Sequence, residues 1–368
     1  MGATDVARRL LAGLTVLVLS AGCAGSASPT PTPTTTPGPV ATAAASATAA
    51  PPPAPASQAP TIGQPADDGA RIIAVDTNPP VIHCSDTSCS TPTAVPATRA
   101  RDLTIDSPAV GGIVQVRLLL PSRFDAQPST RWPVLYLLHG GGGTYSEWTN
   151  YMYAGALTAP TDLLVVMPDG GAGWYSDWWN GGNGGPPKWE TFHLVELRQL
   201  LERNWHAGQK RAIAGFSMGG YGAMEYAARQ PGMFLFAGSY SGPLDPLHGT
   251  VVFPFLIGDK WGDPVAQADV WRAHDPTANA AALKGTALYV AYGNGQVGPL
   301  DNGQVSPADP DGSTEREIGA EGAAFVKRLG ELKIPVTVYA YGNGTHNWPY
   351  FQRDLHQSFP LILKALGE

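Results

Sequence analysis

Serine, carboxylate and histidine residues occur in this chain in an order that suits nucleophilic catalysis. The segment Gly215-Phe216-Ser217-Met218-Gly219-Gly220 fits G-x-S-x-G. In that motif a sharp strand-to-helix turn pushes the serine hydroxyl out of the sheet, and the flanking glycines relieve the crowding. A chain with 44 glycines produces such strings by chance, so context decides. Here a buried-strand pattern (Arg211–Ala214) precedes the motif and a helical pattern (Tyr221–Arg229) follows it. The start of that helix offers unpaired N–H groups to a developing oxyanion. Downstream, His346 lies in Gly342-Asn343-Gly344-Thr345-His346-Asn347-Trp348, just after the apolar run Val336–Tyr341. The glycine-rich turn lets its imidazole swing toward Ser217. His193, His206, His248, His274 and His356 lie on or near expected helices and lack that context. An acid must orient the imidazole, and the segment after Ala287–Tyr292 offers Asp301, Asp309, Asp311, Glu315 and Glu317. Spacing alone does not choose among the five. Two N–H donors complete the set, Met218 after the serine and Gly141 in the loop His139-Gly140-Gly141-Gly142-Gly143. No Gly-Lys-Ser/Thr follows that loop, which argues against phosphate binding.

These groups need a rigid frame. Val114–Leu120 alternates and is β-branched, so it reads as a strand ending at Pro121. Val134–Leu138 and Leu163–Met167 are continuous apolar runs, the pattern of strands buried on both faces. A helical stretch from about Glu190 to Asn204 precedes the serine strand, and Phe236–Tyr240, Ala287–Tyr292 and Val336–Tyr341 follow it. Buried strands alternating with helices predict an α/β-hydrolase fold, a mostly parallel central sheet with helices on both faces.

Not all 368 residues belong to that frame. Residues 1–22 read as a signal peptide, with Arg8-Arg9 followed by the apolar run Leu10–Leu19, too short to stay as a membrane span. Small residues then lead to Cys23, which suits a lipidated first residue of the mature chain, with ordinary secretion as the alternative. Residues 23–66 hold small residues, Thr and Pro, and no charge, so they read as a disordered tether. Residues 67–100 form an N-terminal extension in which Cys84 and Cys89 suit a small disulfide loop in an exported protein. The catalytic domain is expected over 101–368. A Cys-x4-Cys pair without further Cys or His is a poor metal site, so neither metal nor cofactor is expected. The net charge of −7 argues against nucleic acid as a partner. A monomer is expected, touching the membrane only through a lipid on Cys23.

Taken together, the domain resembles the esterase D and antigen 85 (mycolyltransferase) family of α/β-hydrolases from about Asp102 onward. The resemblance rests on Tyr136-Leu137-Leu138-His139-Gly140, Met167-Pro168-Asp169-Gly170-Gly171, Tyr175-Ser176-Asp177-Trp178 and Lys188-Trp189-Glu190-Thr191-Phe192. The serine motif, Trp261-Gly262, Tyr292-Gly293-Asn294-Gly295 and Gly344-Thr345-His346-Asn347-Trp348 complete it, in order. It implies Ser217 as nucleophile and His346 as general base. The family's acid opens the helix leading into Phe325, and counting back from Phe325 implies Glu315, with Glu317 two residues away. Gly141 and Met218 are implied as N–H donors and Trp348 as an apolar wall beside the histidine. Mycolyltransferases carry Asp-Gly-Leu-Arg where this chain has His139-Gly140-Gly141-Gly142, so the Asp and Arg that help hold trehalose are missing. An exported serine esterase acting on acyl lipid or acyl sugar esters is therefore expected, with acyl transfer to an alcohol as the alternative. A non-catalytic cell-surface binding protein on the same fold, or a peptidase, would be the rival readings.

Overall fold

The continuous apolar runs become central strands because both of their faces are covered. In a computed structural model of the chain, residues 69–84, 93–95, 99–180, 188–249, 252–303, 305–306 and 309–368 are described. The expected signal peptide, the tether, Cys23 and Cys89 lie outside them. Nine strands form one sheet: β1 (Arg71–Asp76), β4 (Ala100–Ser107), β5 (Gly112–Leu119), β6 (Trp132–Leu138), β7 (Leu164–Pro168), β8 (Ala207–Phe216), β9 (Phe236–Tyr240), β10 (Ala287–Tyr292) and β11 (Thr337–Ala340). A separate two-stranded ribbon pairs β2 (Val81–His83) with β3 (Thr93–Val95). Across the sheet the order is β1-β4-β5-β7-β6-β8-β9-β10-β11. From β7 to β11 every neighbouring pair is parallel, while β1, β4 and β5 add an antiparallel edge. The architecture is that of an α/β-hydrolase.

Alternation along β6 shows why the run had to be apolar throughout. Val134, Tyr136 and Leu138 enter one hydrophobic cluster, and Leu135 and Leu137 enter the other. Helix α1 (Met218–Arg229) supplies Tyr221, Ala223, Met224 and Tyr226 to the first cluster. Helix α2 (Ser313–Glu331) adds Ile318, Phe325 and Leu329 there. Helix α3 (Trp348–Leu366) lays Phe351, Leu355, Phe359, Ile362 and Leu366 on the second cluster, at helical spacing. Each such side chain contributes about 1.5–3 kcal/mol when buried, so docking fixes α3 despite Pro360 in its interior. Among the described residues no helix is long and apolar enough to cross a membrane.

Two features depart from the expected outline. The helical stretch after Trp189 contains a π-helical turn at Phe192–Leu197, which no apolar periodicity announces. Residues 71–76, expected in the N-terminal extension, pair with β4 as the sheet's outermost antiparallel strand, and the expected boundary at 101 falls inside β4. Cys84 of that segment is buried, and its N–H donates to the carbonyl of Asn150 at 2.9 Å.

Candidate active site

Ser217 stands where β8 ends and α1 begins, with φ 53° and ψ −127°, a conformation that costs a non-glycine residue free energy. The flanking glycines are required by contact. A Cβ on Gly215 would lie 2.1 Å from the carbonyl oxygen of Gly219, and one on Gly219 would lie 2.1 Å from that of Leu138. The Ser217 N–H donates to the Tyr240 carbonyl at 2.9 Å, tying the turn to β9. Ser217 itself is half-buried while Met218, the first residue of α1, is buried. Helix geometry leaves the first N–H groups of α1 without partners inside the helix.

The glycine loop lies against the serine. A Cβ on Gly140 would sit 3.3 Å from Ser217 Cβ and 2.6 Å from the Phe216 ring. Gly141 is exposed, and the space over its α-carbon is open. Buried His139 braces the loop: Nε2 accepts from the Gly170 N–H at 2.8 Å, so the proton is on Nδ1, 2.7 Å from the Gly140 carbonyl oxygen. Sequence reasoning assigned no task to this ring. Glu147 packs its carboxylate on Gly143, and its Oε2 is buried with no hydrogen-bond partner. Burial drives its pKa up from 4.5 to about 7, with His139 opposing and Asp169 reinforcing the shift.

His346 Nδ1 lies 2.7 Å from Glu315 Oε2. Glu315 is fully buried, and its other oxygen accepts three bonds: from the Gly293 N–H at 2.7 Å, Ser241 Oγ at 2.8 Å and the Tyr341 hydroxyl at 3.0 Å. The remaining carboxylates have other work. Asp301 accepts from Thr345 Oγ1 at 2.5 Å, Asn347 Nδ2 at 3.3 Å and the Tyr350 hydroxyl at 3.0 Å, which fixes the residues on either side of His346. Asp309 accepts from the N–H groups of Thr314 and Glu315 at the start of α2. Asp311 accepts from Ser313 Oγ at 2.7 Å. Glu317 is two helical residues beyond Glu315, a rotation of about 200°, and faces Gly249. Nothing in the sequence pattern pointed to Ser241, Tyr341 or Asp301 in these supporting positions.

An aromatic shelf joins the histidine to the serine. The His346 ring meets Phe351 edge-on at 4.9 Å, Phe351 stacks on Phe216 at 5.2 Å, and Phe216 precedes Ser217. Trp348 closes the shelf, 5.1 Å from Phe216 and stacked on Tyr151 at 4.3 Å. The arrangement can activate a hydroxyl with an imidazole that a buried carboxylate orients. A cleft of about 330 Å³ lined by Arg123, Lys210 and Glu368 lies at the opposite end of the sheet, where β6 and β8 begin.

Behind the serine, Glu190, Glu225 and His274 bring potential metal-ligand atoms within 4.8 Å of one another. Arg229 Nε lies 2.9 Å from Glu190 and 3.0 Å from Glu225, so a guanidinium supplies the positive charge there. The three residues do not fit a cation site while Arg229 stands among them.

Known proteins share this framework. The chain matches the Esterase family model over residues 107–362. It is 34% identical over 239 residues to Esterase Rv1288 of Mycobacterium tuberculosis, an alignment that covers 62% of this chain and 51% of that protein. The chain thus spans about half the length of that relative. It is 31% identical over 290 residues to Diacylglycerol acyltransferase/mycolyltransferase Ag85B of Mycolicibacterium smegmatis, covering 72% of this chain and 85% of the relative. Among solved structures, Mycobacterium tuberculosis MPT51 (FbpC1) superposes with a TM-score of 0.60 at 25% identity, over 71% of this chain and 96% of that one.

Proposed function

The chain belongs to the Esterase family, and from that premise we propose that it is an exported serine hydrolase of carboxylic esters, working through Ser217, His346 and Glu315. The observation that carries the reading is the 2.7 Å Glu315–His346 contact on the same aromatic shelf as the positive-φ serine. Ser217 Oγ attacks the ester carbonyl carbon while its proton passes to His346 Nε2. The His346 Nδ1–H keeps donating to Glu315, whose charge stabilises the imidazolium. The N–H groups of Gly141 and Met218 hold the oxyanion, an interaction worth about 3 kcal/mol per donor. Collapse expels the alcohol, which takes the proton from His346 and leaves an acyl-Ser217 ester. Water, deprotonated by His346, then attacks that ester and frees the acid and the serine.

Hydrolysis is preferred over transfer because His139 and Gly142 stand where the mycolyltransferases carry Asp and Arg. Likeness to the Ag85B acyltransferase keeps transfer to an alcohol as the second reading. Trp348 is assigned to the wall of the acyl site. Around this domain we place a signal peptide at 1–22, a lipid or free cysteine at 23, a tether at 23–66 and a Cys84–Cys89 loop. The buried, disulfide-bonded state of Cys84 supports the last of these.

The test is turnover of p-nitrophenyl esters from short to medium chain length, with and without trehalose or diacylglycerol. The expected result is hydrolysis that Ser217→Ala lowers by at least about 10⁴-fold while the thermal midpoint holds. Acyl product appearing on an added alcohol would move the chain to the transferases. Folded protein with neither burst nor turnover would sink the enzymatic reading.

A further inference from the structure

We propose that Tyr341, clamped by Arg353, is a positioning residue for the Glu315–His346 pair and couples the acid to the histidine loop. The proposal rests on the esterase reading above. A glutamate carboxylate turns broadly about its last torsion, so burying Glu315 does not by itself choose which oxygen faces the imidazole. Three donors converge on Oε1 and leave Oε2 for His346. One is a backbone N–H of the loop after β10, and one is Ser241, which also lies 3.2 Å from the Tyr341 hydroxyl. Tyr341 is the third. Burial, followed by the nearby charge of Glu315, pushes its pKa well above 10, so the hydroxyl remains a donor.

What distinguishes Tyr341 is its attachment. Its ring stacks on Tyr350 at 5.0 Å and 12°, and the Tyr350 hydroxyl donates to Asp301, the carboxylate that holds Thr345 and Asn347 on either side of His346. The Arg353 guanidinium lies 4.0 Å over Tyr341 and 5.0 Å over Tyr350, so one cation presses on both rings. Asp354 Oδ1 fixes that guanidinium through contacts of 2.9 and 2.7 Å. Arg353 and the two tyrosines therefore link both ends of the pair: Tyr341 reaches the acid, and Tyr350 reaches the loop of the base.

The experiment measures kcat and KM on a p-nitrophenyl ester for Tyr341→Phe in the full chain, alone and combined with Glu315→Gln. Tyr341→Phe is expected to lower kcat about tenfold with KM and thermal midpoint unchanged, and to change it by less than about twofold once Glu315 is gone. Arg353→Met, which leaves every hydrogen bond to Glu315 chemically possible, is expected to lower kcat about fivefold at unchanged KM. Wild-type kcat in Tyr341→Phe, or an equal loss with and without Glu315, overturns the proposal while the esterase reading stands. A wild-type chain without turnover overturns both.

Discussion

Glu315 meets His346 at 2.7 Å, and Glu225 meets His274 at 2.8 Å on the helix that Ser217 opens. By that contact alone the two pairs are equivalent. Their surroundings are not. The His346 side chain keeps 13% of its surface exposed and leans on the ring shelf beside Ser217, whereas His274 is sealed and stacked on Trp261 at 5.2 Å. Glu315 takes its other hydrogen bonds from a backbone N–H and two hydroxyls, all of them neutral donors. Glu225 shares Arg229 with Glu190, so its charge is already answered. We propose the Glu315–His346 contact as the catalytic one because its carboxylate is held by neutral donors and its ring leans on the shelf beside Ser217. Where an arginine joins in, the same contact is a structural lock.

The same substitution applied to both pairs breaks the comparison most sharply. Glu315→Gln is expected to lower kcat by about 10³–10⁴-fold, the scale seen when a triad acid loses its charge. Glu317→Gln should stay within about twofold of wild type. Glu225→Gln should likewise keep kcat per folded molecule within about twofold, because the His274 it bonds is sealed from solvent and has no part in the proposed reaction. Initial rates on one ester, normalised to folded protein, decide it. Comparable losses at 225 and 315 would erase the distinction.

The lock has a stability signature that the proposed catalytic pair lacks. Arg229→Met leaves Glu190 and Glu225 buried without their cation and should cost about 3–5 kcal/mol in denaturant unfolding, while the surviving folded fraction turns over normally. An unchanged denaturation midpoint would show that the arginine was not holding the pair.

Glu147 sharpens the contrast: the residue is half-buried, yet its Oε2 is buried with no hydrogen-bond partner. Its pKa of about 7 in the fold exceeds the ordinary 4.5, so the folded state binds the extra proton between those values. Its stabilising contribution is full below pH 4.5 and is lost as pH rises through 7. Glu147→Gln should therefore stabilise the protein at pH 8 by about 1–3 kcal/mol relative to wild type and do little at pH 4.5. Thermal melts at the two pH values check this, and equal shifts at both would remove the titration argument.

Sequence legibility followed the same division. Val134–Leu138 and Leu163–Met167 announced central strands because burial on both faces forces an unbroken apolar run. The elbow was legible because Gly215 and Gly219 meet carbonyl oxygens that leave no room for a side chain. Choosing among five carboxylates was beyond spacing, since the loop between β10 and α2 has no periodicity and three of the five bind backbone or loop side chains instead. Asp301 and Tyr341 were illegible for a related reason: each acts through a partner far away in sequence. Residues 71–76 were missed as a sheet strand because Ile73 and Val75 are exposed, so no one-sided pattern marks them.

The backbone at Ser217, with φ 53° and ψ −127°, bears on how this chain would drift if its reaction went unused. A glycine there would adopt the same turn without the ~1–3 kcal/mol that the serine incurs. Selection for folding alone would then favour discarding the hydroxyl, while selection for chemistry alone retains it. The residue at 217 is thus a point where heredity records which of the two pressures a lineage has felt.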